Sequence, residues 1–306
     1  MACDPGAFTI HHADLSTGVQ IAYVREGVGG VPLLLLHGYP ETKRIWWRNI
    51  APLAAAGFEV VVPDLRGYGD SGLAPDGFYD PAAYSHDTYE LAHDVLGFAS
   101  VTMAAGDVGG VVMLDLAARH PGYVSRQCFF NSVPPSLGET YEAAGLPASL
   151  LDDTHPTADY RIRQGRDGDS FAAELATPEL RRQWIAGMYG PRLWAAAGSF
   201  TAEEIDFHTE PFADAGKLRA SWGPYELAYG KPMSELPLLF SVVDVPTMVL
   251  YGAEDHVVPE LFVRQCELAF SMLTGPFVIP RAGHFLQWER ADLFNNALVE
   301  YLLPRS

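Results

Sequence analysis

The 306-residue sequence predicts an α/β protein with a mostly parallel central sheet, helices on both faces and one helical insertion. Three observations predict it. Strand and helix patterns alternate through the first 132 residues and again from residue 247. Val31–Leu36 (Val-Pro-Leu-Leu-Leu-Leu) is wholly apolar, as expected of a strand buried on both faces of a parallel sheet. Between residues 133 and 233 the alternation stops and only helical patterns remain.

Each element follows from a local pattern. Residues 8–12 and 19–24 alternate in polarity around a turn at 14–18 and read as an antiparallel pair. Residues 45–55 read as a helix, 58–62 as a strand and 85–98 as a helix. Val101-Thr102-Met103-Ala104 is a buried strand leading into Ala105-Gly106-Asp107-Val108-Gly109-Gly110, and an apolar helical pattern runs on to Ala118. Residues 127–130 form the sixth strand. Inside the insertion, Thr177-Pro178-Glu179 places a cap before a proline at the first helical position. Thr201-Ala202-Glu203-Glu204 is a capping box, so the acidic cluster Glu203-Glu204-Asp206 reads as a helix start and not a metal site. Alternation resumes with a strand at 247–251, a helix at 260–270, a strand at 277–280 and a final helix, Ala291–Leu302. The expected division is a core of residues 1–132 and 234–306, with a helical cap of residues 133–233 inserted after the sixth core strand.

Composition narrows the function. Hydrophobic residues make up 48% of the chain and charged residues 19%, enough for a sizeable core. A formal net charge of −18 argues against nucleic acid and anionic membrane as partners. No stretch approaches the roughly 20 apolar residues of a membrane span. Met1-Ala2-Cys3-Asp4-Pro5-Gly6 lacks the basic and apolar pattern of a secretory leader, so a cytoplasmic location is expected. Cys3, Cys128 and Cys266 show neither metal spacing nor an even disulfide framework, and the last two read as packed thiols.

The strand–turn–helix around Asp107 carries the chemistry. Its shape is that of G-x-S-x-G, where a nucleophile on a tight turn requires small neighbours, but aspartate replaces serine. A carboxylate needs no base to activate it, and it attacks saturated carbon to form an ester; epoxides or alkyl halides are the matching substrates. Asp107 as a helix N-cap is the plainer alternative. The glycine spacing fits neither G-x-G-x-x-G nor a phosphate loop with its lysine. Two further groups fall at strand ends, where open parallel sheets place their sites. Asp255 lies in Tyr251-Gly252-Ala253-Glu254-Asp255-His256, with Glu254 as the competing acid. His284 lies in Arg281-Ala282-Gly283-His284-Phe285, with His37 as the competing histidine. The order nucleophile, acid, histidine is that of the α/β-hydrolase fold, in which backbone amides of Tyr39 and Val108 would form the oxyanion hole. His37 is expected to shape the loop that carries Tyr39.

The chain resembles epoxide hydrolases of the α/β-hydrolase fold over nearly its whole length. The resemblance rests on His37-Gly38-Tyr39-Pro40-Glu41, Pro63-Asp64-Leu65-Arg66-Gly67-Tyr68-Gly69-Asp70-Ser71, the Asp107 elbow, Asp255 and His284. It implies two cap tyrosines that hydrogen-bond the epoxide oxygen. Tyr160 and Tyr225 stand in similar surroundings, and Tyr229 is a nearby substitute for Tyr225. It also implies conversion of an epoxide to a vicinal diol through an ester on Asp107, with water as co-substrate and no metal or organic cofactor. Dehalogenases share the fold, but Val108, Tyr39 and Val111 stand where those enzymes place halide or carboxylate donors. A noncatalytic protein binding a small hydrophobic ligand is the third reading. Trp184, Trp194, Trp222, Phe200, Phe207 and Phe212 are expected mostly to pack the cap itself. The particular epoxide, and whether the chain forms a homodimer, are not legible.

Overall fold

The computed structural model describes residues 3–150, 153–154, 158–190, 194–231 and 234–304. Met1 and Ala2 of the N-terminal stretch, and Met233 at the expected end of the insertion, lie outside the described residues.

Eight strands form one sheet: β1 (Ile10–Asp14), β2 (Gln20–Glu26), β3 (Val31–Leu36), β4 (Phe58–Pro63), β5 (Val101–Gly106), β6 (Val124–Phe130), β7 (Thr247–Gly252) and β8 (Leu273–Ile279). Their order is β1-β2-β4-β3-β5-β6-β7-β8. β1 and β2 pair antiparallel with each other, β2 pairs antiparallel with β4, and every pairing from β4 to β8 is parallel. β4, β5 and β7 are buried along their whole length, which is why their sequences run apolar instead of alternating. The chain leaves β3 toward β4 and leaves β5 in the opposite direction toward β6. The crevice at that reversal, outside the carboxyl ends of β3 and β5, is where ligands bind in open α/β sheets.

The core helices are α1 (Ile50–Ala56), α2 (Pro81–Tyr89) and α3 (Asp107–Arg119) before the insertion, with α11 (Leu261–Ala269), α12 (Leu286–Glu289) and α13 (Ala291–Leu302) after it. Between them lie α4 (Gly138–Ala143), α5 (Ala158–Arg166), α6 (Gly168–Glu174), α7 (Pro178–Tyr189), α8 (Ala202–Thr209), α9 (Ala215–Ala220) and α10 (Gly223–Ala228). No strand occurs among the described residues of this insertion. Both anticipated caps are made. Thr177 accepts the Leu180 N–H at 3.3 Å, and Thr201 and Glu204 close their box at 3.2 and 2.8 Å. Glu204 also pairs with Arg48 of the core.

Several boundaries differ from the sequence expectation. The helix expected at 45–55 is a 3₁₀ turn, Lys43–Trp46, followed by α1. The helix expected at 85–98 starts at Pro81, because Asp80 caps it by accepting the Ala82 and Ala83 N–H groups. Its end winds into a π-helix, Glu90–Val95. β8 begins before residue 277; Gly275 and Pro276 interrupt the apolar pattern there, and the register against β7 shifts at the same place. Most of the insertion's aromatic residues pack on other insertion residues, as expected, but four of the six also reach the core. Trp184 and Trp222 pack on Phe171 inside the insertion, but Trp194 meets His284, Phe200 meets Phe285, Phe207 meets Trp47 and Phe212 meets Tyr68. These four rings meet residues of the segments that follow β3, β4 and β8. Cys128 and Cys266 are buried, as expected of packed thiols.

Candidate active site

The nucleophile turn is built by close packing. β5 ends in Gly106 with extended backbone, and Asp107 opens α3 at φ 47, a left-handed conformation uncommon for a non-glycine residue. A Cβ on Gly106 would lie 2.5 Å from the Phe130 ring, and one on Gly110 would lie 2.5 Å from Ser132 Oγ. A Cβ on Gly109 would lie 2.7 Å from the His37 carbonyl oxygen, and one on Gly38 would lie 2.5 Å from Asp107 itself. The turn therefore lifts the Asp107 carboxylate against the loop that follows β3.

The two carboxylate oxygens of Asp107 have different surroundings. Oδ1 accepts the Tyr39 N–H at 2.7 Å. Oδ2 lies 3.3 Å from His284 Nε2, an ion-pair contact without full hydrogen-bond geometry. On the other side of the imidazole, Nδ1 stands 3.0 Å from Asp255 Oδ2. Asp255 Oδ1 accepts the Val257 and Val258 N–H groups at 2.8 and 3.1 Å, which orients the acid. The structure thus brings Asp255, and not Glu254, to the histidine. Burial opposes protonation of His284, but the charges and hydrogen-bonding reach of Asp255 and Asp107 outweigh it and hold its pKa well above the ordinary histidine value.

His37 shapes the loop. It is fully buried, its Nδ1 lies 2.9 Å from the Gly38 carbonyl, and its Nε2 accepts the Leu65 N–H at 3.0 Å. That pattern requires the neutral Nδ1–H tautomer, in line with a pKa lowered by burial. Val108 lies on the wall of the cavity beside Asp107, and its amide makes no bond to the carboxylate.

A cavity of about 290 Å³ opens above Asp107. Its wall is mainly apolar, with Val111, Leu238, Phe240 and Val258 among the lining residues, and both Tyr160 of α5 and Tyr225 of α10 line it. The two phenol rings meet edge to face at 5.5 Å, and Tyr225 and Tyr39 meet in the same way at 5.2 Å. Burial first, and then the nearby Asp107 charge, raise the pKa of Tyr160; burial, Tyr160 and Asp107 raise that of Tyr225. Both phenols are therefore neutral proton donors across the neutral range. Tyr229 does not compete for this place: its hydroxyl bonds Asp153 at 2.5 Å and its ring lies under Arg166.

Sequence reasoning assigned no role to three residues around this site, of which Glu41 and Asn131 are buried and Glu289 is half-buried. Glu41 accepts the Gly38 N–H and a Gln287 amide proton, each at 2.7 Å, and burial pushes its pKa up to about 7. Glu289 accepts the amides of Gly283, Phe285 and Ala196, each within 2.9 Å, so it ties the histidine loop to the insertion. Asn131, just after β6, bonds to Gly252 at the end of β7 and to the loop after β8. Glu41 stood in a quoted motif; Asn131 carries no local signal because its side-chain partners are distant in sequence, and Glu289 joins its near neighbours Gly283 and Phe285 to the distant Ala196.

Residues 31–291 match the family model described as alpha/beta hydrolase fold. The soluble epoxide hydrolase of Corynebacterium sp. strain C12 is 25% identical over 302 residues, covering 96% of this chain and 97% of that protein. Epoxide hydrolase A of Mycobacterium tuberculosis is 27% identical, covering 94% and 95%. The solved structure of the epoxide hydrolase CorEH without ligand superposes with a TM-score of 0.81 at 22% identity, covering 96% of this chain and 98% of that one, a likeness of fold.

Proposed function

The chain belongs to the alpha/beta hydrolase fold family, and on that premise we propose that it is an epoxide hydrolase that forms a covalent ester on Asp107. The observation that carries this reading is the division of labour at the Asp107 carboxylate. Oδ1 is held by the Tyr39 amide, Oδ2 lies 3.3 Å from His284 Nε2, and Asp107 lines a cavity together with two neutral phenols. The named epoxide hydrolases similar to this chain over nearly its full length support the substrate class.

Asp107 Oδ2 attacks a ring carbon in line with the breaking C–O bond. The departing oxygen takes a proton from Tyr160 or Tyr225, which avoids a free alkoxide. His284, aligned by Asp255, then removes a proton from water, and the hydroxide adds to Cγ of Asp107. The tetrahedral oxyanion forms on Oδ1, where the Tyr39 amide already points and the Val108 amide is adjacent. The Cγ–Oδ2 bond breaks, the departing oxygen takes the proton from His284, and the vicinal diol leaves. The second proton of the water is released as Asp107 re-ionises, restoring the phenol. Residues 1–132 and 234–306 act as the core, and residues 133–233 act as the cap that excludes bulk water from the ester. Among the described residues no helix is long and apolar enough to cross a membrane.

Product analysis against aryl and alkyl epoxides, with haloalkanes and fluoroacetate alongside, tests this reading. Diol without halide release is expected; halide release would instead indicate a dehalogenase. His284→Gln should accumulate the ester, visible as added mass on the intact protein. Asp107→Ala should lose diol formation by about 10³-fold or more. Unchanged turnover in either variant sinks the assignment.

A further inference from the structure

Asn131 follows β6 in a left-handed backbone conformation, φ 40. Such a conformation costs a non-glycine residue on the order of 1–2 kcal/mol. The side chain is fully buried and completely engaged. Its Nδ2 donates to the carbonyls of Gly283 and His284 at 2.9 and 3.0 Å. Its Oδ1 accepts the Gly252 N–H at 2.9 Å. Its own carbonyl accepts the Asp107 N–H at 3.0 Å. One residue is therefore bonded to the main chain of the nucleophile, of the loop that presents Asp255, and of the histidine loop. Only an amide of this length supplies two donors and an acceptor here; a carboxylate lacks the donors.

We infer that Asn131 is a positioning residue that keeps the Asp107, Asp255 and His284 loops in register, and that hydrolysis of the ester depends on it more than formation of the ester does. The asymmetry follows from which groups each step needs. Ester formation needs Asp107 and a phenol. Hydrolysis needs Asp255, His284, a water and Cγ of Asp107 aligned across three loops. The frame around the histidine is otherwise stiff: the His284 N–H donates to Trp194 O at 2.7 Å, and Glu289 accepts the amides on either side. Removing Asn131 frees both carbonyls of Gly283 and His284 at once.

This inference rests on the epoxide hydrolase reading for its kinetics but not for its geometry, so the test has two readouts. Asn131→Gly relieves the backbone conformation and deletes the amide. Asn131→Asp keeps the shape and the tolerance for this conformation but loses both donors. Rapid-quench mass spectrometry with styrene oxide should show the ester accumulating in both variants. Ester hydrolysis should slow by at least about tenfold while ester formation stays within about threefold, since small misplacements of reacting groups cost up to about 100-fold. Equal slowing of both steps, or wild-type rates for both, overturns the inference. Wild-type protein that forms neither ester nor diol overturns the epoxide reading alone. In that case the imidazole ¹⁵N titration of His284 decides: Asn131→Gly should move it from its wild-type position, and an unmoved titration overturns the positioning role.

Discussion

At the scale of single residues, the site is a set of buried ionisable groups whose charges are kept by one another. His284 is held protonated at elevated pH partly by Asp107. In the proposed mechanism, esterification of Asp107 would remove that negative charge and lower the pKa of the imidazole, so that His284 can release its proton to solvent and act as the base of the second step. Glu41 is the counterpart that burial disfavours. Its carboxyl is pushed up to about 7 from a usual 4.5. The folded state therefore holds a proton that the unfolded chain releases between those values. The stability this group contributes is fully present below pH 4.5 and lost as pH rises through about 7, on the order of 3 kcal/mol. Gln287 Oε1 has no partner, so a turned Gln287 amide could accept from a glutamine at position 41. Glu41→Gln should gain stability relative to wild type as pH rises from 5 to 8 in urea unfolding. A stability gap that stays constant with pH would contradict this account.

At the scale of elements, the decisive unit is β5–turn–α3. Its sequence pattern was fully legible: an apolar strand, a glycine-flanked turn and an apolar helix. The reason is physical, since Gly106, Gly109 and Gly110 each lie against another element with no room for a Cβ. Gly109 faces the backbone carbonyls of Leu36 and His37, which cannot rotate away. Gly109→Ala should therefore push the loop that carries Tyr39 away from Asp107. A loss of about 1–3 kcal/mol in stability is expected, with a larger fall in kcat than in KM. Wild-type stability and kcat in this variant would show that the contact yields freely. Caps at Thr177 and Thr201 were legible for the same local reason, because a cap is a contact between residues three apart. The start of α2 at Pro81, capped by Asp80, and the early start of β8 were not, since a non-apolar cap and a Gly-Pro interruption hid them from the apolar pattern.

At the scale of the whole molecule, the insertion and core meet through an aromatic layer. His208 of α8 sits in it, stacked on Tyr189 and edge-on to Trp288 at 4.4 Å, with Phe200 and Phe207 alongside. Both ring nitrogens are buried without partners. Burial, and then Arg44 and Arg48, hold its pKa well below the usual 6.5. The unfolded chain therefore binds a proton there that the folded state refuses, so stability is present above pH 6.5 and lost as pH falls below it. His208→Phe should keep the layer packed and reduce the drop in melting temperature between pH 7 and pH 5. An equal drop in both proteins would place the acid sensitivity elsewhere.

The sequence by itself determined the sheet alternation, the helical stretch between β6 and β7, the strand–turn–helix around Asp107 and the placing of Asp255 and His284 after β7 and β8. Each depends on local periodicity or on spacing along the chain. Tertiary structure alone decided between Tyr225 and Tyr229, since Tyr160 and Tyr225 line the cavity above Asp107 and Tyr229 bonds Asp153 instead. It alone decided that four insertion aromatics pack on the core, and that Asn131, Glu41 and Glu289 surround the site. Asn131 and Glu41 act through partners brought together by the fold, Asn131 on Gly283 and Glu41 on Gln287. No pattern read along the chain records which distant backbone group a buried side chain will meet.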